Sequence, residues 1–237
     1  LSLALRGQRW PARRDVWHLL ALGLIGNGLY QSAFIMGMSR TRAGTAALIN
    51  AAGPAYIAII SWVLGRERAS ARAWAGIALQ LVGVACVVRS ASSIGGGDEA
   101  LLGAAFITCG SLLWAVFSVL LRPYTERAHP IHLSAITMVS GAGLLMLFAS
   151  PDLRALDVGA VASAQWGAVL YAGLGALVIA YLLYYRGVQV LGPTRTAMYS
   201  NLQPVIALLF AWVTLHEQPT GWQILGATSI MAGLLLS

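Results

Sequence analysis

Long apolar runs separated by short polar gaps dominate the sequence of this chain. A helix needs about 20 apolar residues to cross the roughly 30 Å hydrocarbon core of a bilayer. Eight runs reach or approach that length, and they are apolar on all sides, whereas a helix of a soluble protein keeps a polar back face. The pattern predicts eight membrane-spanning helices, at 16–38, 43–64, 71–88, 101–122, 131–149, 164–190, 194–214 and 221–236.

The composition agrees with an all-α integral membrane protein. Of the 237 residues, 58% are hydrophobic and 10% are charged, against about 25% charged residues in an ordinary soluble domain. The net charge is +7, and all 15 basic residues are arginines that lie mostly in the gaps between apolar runs. Basic charge placed in this way orients membrane helices, so it does not predict a nucleic-acid partner.

The arginines are shared unequally between the two sides of the membrane. If the chain crosses at each predicted span, eleven arginines fall on the side that holds residues 1–15 and four on the other side. Because positive residues favour the cytoplasm, the first side is expected to be cytoplasmic. Eight crossings return the chain to the same side. The sequence therefore predicts a protein of the cytoplasmic (inner) membrane with both termini in the cytoplasm.

The sequence matches itself when it is shifted by 150 residues. Shared apolar composition alone would not bring proline, tryptophan, glutamate and glycine into one register, so the match predicts an internal repeat. The aligned pairs include Gly23 with Gly173, Gly37 with Gly187, Pro54 with Pro204, Trp62 with Trp212, Glu67 with Glu217, Gly76 with Gly226 and Gly83 with Gly233.

The repeat unit contains five spans, and an odd number makes the two copies cross the membrane in opposite directions. Inverted repeats of this kind are typical of secondary transporters. The fourth and fifth spans have no partner in the first copy, which predicts two further helices, about 50 residues, before residue 1. The expected fold is a ten-helix bundle, with eight helices visible here, of two inverted five-helix repeats around a central cavity. Residues 1–95 would hold the last three helices of the first repeat and residues 96–237 the whole second repeat.

Several segments resemble the EamA repeat of the drug/metabolite transporter superfamily. They are the stretch from Asn50-Ala-Ala-Gly-Pro54 through Glu67 to Gly83, its counterpart from Asn201-Leu-Gln-Pro204 through Glu217 to Gly233, and Leu113-Trp114-Ala115, which is similar to the tryptophan segment that opens the second EamA repeat. The resemblance implies a ten-helix inverted-repeat transporter with a central cavity. It also implies an exporter of amino acids or similar metabolites, although the family as a whole carries amino acids, sugars, nucleotide conjugates and drugs.

Polar side chains in the middle of a span are costly in lipid and usually face the interior of the bundle. In the first span, four side chains that can form hydrogen bonds or offer aromatic surface share one helical face: Asn27, Tyr30, Gln31 and Phe34. They predict either the wall of a substrate cavity or hydrogen bonds that hold neighbouring helices together. The repeat maps this face onto the sixth span, where Tyr181 and Tyr184 are expected to form the matching wall.

Two prolines lie in the middle of the second and seventh spans. Pro54 and Pro204 cannot donate to the carbonyls four residues earlier, those of Asn50 and Ser200. Interrupted helices at matching positions of two repeats point to a binding site and to gating elements, whereas a kink satisfied by its neighbours would be structural. The candidate site residues here are Asn50, Ser200, Asn201 and Gln203, with Pro54 and Pro204 as gating kinks.

Trp114 lies deep in the fourth span, with Ser111 and Ser118 on the same face. A buried indole seeks a partner for its N–H group. This face therefore predicts either a cavity aromatic that stacks on a substrate or a tryptophan that packs between helices.

No Asp, Glu, Lys or His lies deep in a predicted span, and a proton-coupled antiporter usually needs such a group. We therefore expect a facilitator or exporter of small metabolites that works by alternating access, with amino acids as the expected substrate class. The alternative is a proton-coupled drug or nucleotide/sugar-type transporter of the same superfamily, with its coupling group in the two preceding helices.

An intramembrane enzyme would need a nucleophile–base pair or metal ligands at membrane depth. The spans show neither, so no enzyme, metal site or cofactor is predicted. A packed scaffold would not need polar faces in its interior. The expected partners are a small-molecule substrate and the lipid bilayer, and a bundle of two halves can work as a monomer.

Overall fold

The structure, a computed structural model, consists of helices over the residues that it describes. These are residues 10–65, 70–91, 97–125, 127–157, 159, 161–179, 183, 210, 212–214 and 220–236. Within them, five helices are long and apolar enough to cross a membrane, and they lie where the first five spans were predicted. The predicted class, an all-α membrane protein, is confirmed.

Seven helices follow one another along the described part of the chain. They are α1 (Arg13–Met38), α2 (Ala43–Val63), α3 (Ala71–Ala91), α4 (Gly97–Thr125), α5 (Pro130–Ala155), α6 (Ser163–Leu170) and α7 (Gly221–Leu236). The last helix has the bounds predicted for the eighth span. The end of the sixth span and most of the seventh lie outside the described residues.

Two helices are longer than the apolar runs that predicted them. Helix α4 begins at Gly97, so Asp98 and Glu99 lie in its first turn rather than in a loop. Negative charge is favourable there because the N-terminal end of a helix carries unpaired N–H groups. Helix α5 continues through Pro151 to Ala155, past the predicted end at residue 149.

Helices α1, α2 and α6 depart from regular α-helical geometry. Helix α1 contains a π-helical turn at Leu24–Leu29, and α6 continues into a π-helical segment at Tyr171–Ile179. Helix α2 breaks at Ala52, where φ is −82° and ψ is 6°. Its two parts are Ala43–Ala51 and Gly53–Val63.

Helix α1 runs in the same direction as α5. At Gly23 a Cβ atom would lie 2.3 Å from the carbonyl oxygen of Thr137, and at Gly28 it would lie 2.7 Å from a methyl group of Leu144. The contacts move toward the C-terminus of α1 and of α5 together, so the two helix axes are parallel. Two helices separated by three intervening crossings should be parallel, as these are.

Helix α1 runs opposite to α4. A Cβ atom at Gly26 would lie 2.2 Å from the ring of Phe117, and one at Gly37 would lie 2.6 Å from a methyl group of Ile107. The contacts advance along α1 while they retreat along α4, so the axes are antiparallel. The hydrophobic effect does not drive helices together within a bilayer. Close packing through glycine stabilises their association instead.

Helices α3 and α7 pack through two glycine contacts that are related by a two-fold symmetry. A Cβ atom at Gly83 would lie 2.7 Å from the carbonyl oxygen of Gly226, and one at Gly233 would lie 2.5 Å from that of Gly76. The shift of 150 residues converts Gly83 into Gly233 and Gly76 into Gly226, so it turns one contact into the other. This is the pattern of a two-fold interface, and two inverted repeats would produce it.

The described helices expose large apolar side chains in place of a polar exterior. The exposed fraction is 70% for Val139 of α5, 56% for Val82 of α3 and 54% for Ile224 of α7. In water, such surfaces would promote aggregation or partner binding. Here they form the surface that lipid covers. A second compact unit, residues 146–202, includes α6, which likewise exposes Val169 and Leu170.

The glycine contact between α3 and α7 leads to a stability prediction. Gly83→Ala should lower the free energy of unfolding by about 1–3 kcal/mol, because the added methyl group meets the backbone of α7. Gly143→Ala in α5 is the matched control, since nothing lies within 4 Å of a Cβ atom there. Denaturant unfolding in detergent would measure both. Equal stability of the two variants would contradict the close packing of α3 on α7.

Candidate functional site

A cluster of aromatic rings joins α1 to α4. The ring of Tyr30 lies 5.2 Å from that of Trp114 and 6.1 Å from that of Phe34, between centroids. The ring of Trp114 lies 5.2 Å from that of Phe117. The sequence predicted Tyr30, Phe34 and Trp114 as site residues on two different spans, and the structure brings these three together. Phe117 was not predicted.

The aromatic cluster depends on small residues that bring the two backbones close. A Cβ atom at Gly110 would lie 3.4 Å from the carbonyl oxygen of Tyr30 and 3.5 Å from the Cβ atom of Ala33. Gly110 precedes Trp114 by about one turn of α4. The rings of Tyr30 and Trp114 therefore extend from closely spaced helices and face each other. Both side chains are half-buried, which leaves part of each ring uncovered.

A polar contact joins α2 to α4 near this cluster. The Ser111 hydroxyl lies 2.7 Å from the Asn50 side-chain oxygen and 2.9 Å from the carbonyl oxygen of Ile107. A hydroxyl carries one proton, so it donates to one of these oxygens. Both contacts are satisfied together when the Asn50 amide is turned so that its nitrogen donates to the hydroxyl. Asn50 and Ser111, predicted separately, thus form a pair.

The break in α2 lies beside this polar pair. The second part of the helix starts anew, with the carbonyl of Ala52 accepting from the N–H groups of Ala55 and Tyr56 at 2.9 and 3.2 Å. Pro54 lies in the first turn of this part, where a missing N–H group is tolerated. Because Pro54 has no N–H group, the carbonyl of Asn50 cannot receive its usual helical hydrogen bond. Hydrogen-bonding groups of both backbone and side chain therefore meet at membrane depth.

The remaining predicted residues of α1 and α4 have other surroundings. Asn27 packs on α5, where a Cβ atom at Gly141 would lie 2.4 Å from its own Cβ atom. The Ser118 hydroxyl donates to the carbonyl oxygen of Trp114, at 2.7 Å, and so bonds within its own helix. Gln31 is half-buried. The predicted residues Tyr181, Tyr184, Ser200, Asn201, Gln203 and Pro204 lie outside the described residues.

Three buried polar side chains escaped the sequence analysis. They are the Tyr56 hydroxyl, the Gln80 amide and both ring nitrogens of His132, which are buried and have no hydrogen-bond partner among the described residues. Gln80 is polar in the middle of a span, so the criterion that selected Gln31 could have found it. His132 was passed over because it lies in the first turn of α5. A buried polar group without a partner costs stability and often marks a functional position.

No group of three or more His, Cys, Asp or Glu residues in the described ranges could hold a metal ion. The aromatic cluster and the Asn50–Ser111 pair offer ring faces, amide and hydroxyl groups. Groups of this chemistry suit a small polar molecule with an apolar part.

Comparison with known protein families agrees with this geometry. The EamA-like transporter family matches residues 1–89 and 101–237, which is nearly the whole chain. The chain belongs to the EamA-like transporter family. It is therefore a membrane transporter of the drug/metabolite transporter superfamily, as its sequence features implied.

Relatives of this EamA-family chain are transporters from bacteria and archaea. The chain is 25% identical to the uncharacterized transporter YyaM of Bacillus subtilis, over 94% of this chain and 73% of the relative. It is 27% identical to an uncharacterized transporter of Archaeoglobus fulgidus, over 98% of this chain and 79% of the relative. It is 24% identical to a probable terminal-alkyne amino-acid exporter of Streptantibioticus cattleyicolor, over 97% and 75%.

A crystal structure of another protein has the same fold. It superimposes with a TM-score of 0.64 over 99% of this chain and 79% of the other, at 23% sequence identity. This likeness supports the EamA-type helical arrangement seen here.

The Asn50–Ser111 contact leads to a prediction about coupling between α2 and α4. A double-mutant cycle with Asn50→Ala and Ser111→Ala should give a coupling free energy of about 0.6 kcal/mol, and at most about 1.7 kcal/mol, as for interhelical hydrogen bonds in membranes. Asn50→Ala combined with Ser118→Ala is the control, and its effects should add, because Ser118 bonds within its own helix. Unfolding in detergent measures both cycles. Additive effects in the first cycle would disprove the pair.

Proposed function

We propose that this EamA-family protein moves small metabolites, chiefly neutral or aromatic amino acids, across the cytoplasmic membrane. The observation that carries the proposal is the aromatic cluster of Tyr30 and Trp114 close to the polar pair of Asn50 and Ser111. An amino acid combines an apolar side chain with an ammonium group and a carboxylate. The rings would take the side chain, and Trp114 could also attract the ammonium group through its ring face.

The break in α2 supports the same class of substrate. The backbone carbonyl of Asn50 can accept from an ammonium group, and the second N–H of the Asn50 amide can donate to a carboxylate. In transporters with inverted repeats, interrupted helices supply such groups near the middle of the bilayer. The amino-acid exporter among the relatives agrees with this substrate class.

The transport mode that we propose is alternating access by two inverted repeats, divided near residue 95. Support comes from the exchange of glycine contacts between α3 and α7 and from the separate family matches at 1–89 and 101–237. The helix interrupted near Pro54 would act as a gate, and so would the counterpart expected at Pro204. The arginine distribution supports an orientation with residues 1–15 and the end of α7 in the cytoplasm. The protein would work as a facilitator or exporter.

A second candidate, proton-coupled transport, is favoured by one specific observation. Asp15 and His132, in the first turns of the parallel helices α1 and α5, are 8% and 3% exposed. The His132 ring stacks on that of Trp10 at 4.0 Å, and His129 lies 6.1 Å away. Asp15 has Arg14 at 3.8 Å. His132 is thus a buried imidazole with no hydrogen-bond partner in the described ranges, and such a group is a candidate for a functional role.

Uptake into liposomes tests the proposed function. The purified protein should take up labelled L-phenylalanine saturably without any ion gradient. Trp114→Ala should weaken the apparent affinity about tenfold, which corresponds to about 1.4 kcal/mol of lost ring contact, and Gln31→Ala should weaken it as well. Trp17→Ala is the control, because Trp17 is 75% exposed at the start of α1. If the protein takes up none of the amino acids tested, this substrate class is rejected.

A pH gradient across the same liposomes decides between the two transport modes. A facilitator carries L-phenylalanine at the same rate with and without the gradient. If transport is proton-coupled through His132, the gradient accelerates uptake, and His132→Gln removes the acceleration while uptake without a gradient persists. His18→Gln is the matched control, since His18 is exposed on α1. Acceleration that survives His132→Gln would exclude His132 as the coupling group.

A further inference from the structure

We propose that the π-helical turn of α1 positions the substrate-facing half of that helix and is the point at which this half turns during transport. The π-helical segment that follows α6 would be its counterpart in the second repeat. This inference rests on the proposed transport function and adds the element that moves. Helical turns of this type account for well under 1% of residues in proteins, and they occur frequently at functional sites.

The two π-helical segments occupy matching positions of the repeat. The shift of 150 residues takes residues 24–29 to residues 174–179. These lie inside the π-helical segment Tyr171–Ile179. The aligned Gly-Leu pair lies at both segments: Leu24 opens the first one directly after Gly23, and Gly173-Leu174 lies inside the second. Two rare features in the same register indicate a shared role rather than separate accidents of packing.

The π-helical turn changes the angle between glycines on either side of it. Gly23 packs on α5, and Gly37 packs on α4. They are 14 residues apart (37 − 23), which is nearly four turns of a regular α-helix, so they would face almost the same side. A π-helical turn contains about one extra residue and removes about 100° of rotation between the halves. Gly23 can therefore contact α5 while Gly37, beyond the turn, contacts α4.

The residues placed by this turn are those of the candidate site. Tyr30 follows the last residue of the turn, and Phe34 lies one turn further along α1. Asn27 lies inside the turn, where it contacts Gly141 of α5. In the second repeat, Tyr181 also follows a π-helical segment closely in the sequence. In both repeats, the segment thus precedes an aromatic residue predicted to line the cavity.

When a π-helical turn becomes α-helical, the two halves of the helix rotate relative to each other and the helix stays continuous. If Leu24–Leu29 became α-helical, the half of α1 that carries Tyr30 would turn by about 100° and advance by about 1.5 Å relative to the half that carries Gly23. The backbone would keep its hydrogen bonds within the helix, as a bilayer requires. Register shifts of helices occur on the microsecond-to-millisecond scale of transport steps. The ring of Tyr30 would then leave that of Trp114 and open the site.

Deletion of Leu24 tests this hinge. The deletion removes the extra residue, so α1 can become a regular helix while both halves keep their packing partners. Leu24→Ala is the matched control, because it keeps the length of the turn and alters a side chain that is 41% exposed. We expect the deletion variant to bind L-phenylalanine within about threefold of the control and to transport it at least about tenfold more slowly.

A second measurement needs no substrate. In a chain that carries Gln31→Cys with Cys86→Ala and Cys109→Ala, an impermeant thiol reagent should reach residue 31 from both sides of the membrane in turn. With Leu24 also deleted, it should reach residue 31 from one side only. If the parent protein carries no amino acid, the proposed substrate class fails, and this labelling still tests the hinge.

Three outcomes would overturn the inference. Transport by the deletion variant at the rate of Leu24→Ala would show that the turn plays no part in the cycle. Loss of binding together with transport would show that the turn only holds the site in place. Labelling from both sides after the deletion would show that another element moves. If the Leu24 deletion does not fold, the same measurements on deletion of Leu174 decide.

Discussion

A bilayer offers the backbone no hydrogen-bonding partner, and this constraint governs the whole structure. A spanning segment must satisfy its N–H and C=O groups, so a departure from the α-helix must either keep its backbone hydrogen bonds, as a π-helical turn does, or lie where other protein groups meet the freed ones. The described chain departs at Ala52 in α2, at Leu24–Leu29 in α1 and at Tyr171–Ile179 after α6. The first two lie beside the polar groups of Asn50 and Asn27. Irregular backbone therefore marks the functional part of this protein more clearly than any single side chain does.

Close packing through glycine decides where the aromatic side chains can lie. Helices in lipid gain little from burying apolar surface, so they approach through small residues. Gly26 and Gly37 bring α1 against α4, and Gly110 lies between them on the facing helix. Large rings have no room directly between such closely spaced backbones. Tyr30 and Trp114 consequently extend to the side, where they face each other and keep part of their surface uncovered. The site is a consequence of the packing as much as of its own residues.

The sequence predicted the fold well because length and apolarity determine a membrane span. The first five helices and α7 lie where the apolar runs placed them. The π-helical turn could not be predicted, because Leu-Ile-Gly-Asn-Gly-Leu has the same apolar pattern as an α-helical segment. Regular spacing therefore placed Asn27 and Tyr30 on one face, whereas they contact α5 and α4. The pairing of Asn50 with Ser111 was also hidden, since local periodicity carries no information about residues 61 positions apart.

The glycine contact between α3 and α7 and the π-helical turn of α1 suggest which part of the protein stays fixed and which part moves. In α3 and α7, glycine carbonyl oxygens lie so close to the facing α-carbons that a single methyl group would not fit, at Gly83 and Gly233 alike. A contact of this kind cannot slide without separating, so this seam suits a fixed axis between two inverted repeats. A π-helical turn differs from this glycine contact, because its extra residue can shift into the next turn of the helix while the helix stays continuous. Rotation of the second half of α1 would change the surroundings of Tyr30 without disturbing the seam. Alternating access would then leave the glycine contacts between α3 and α7 in place.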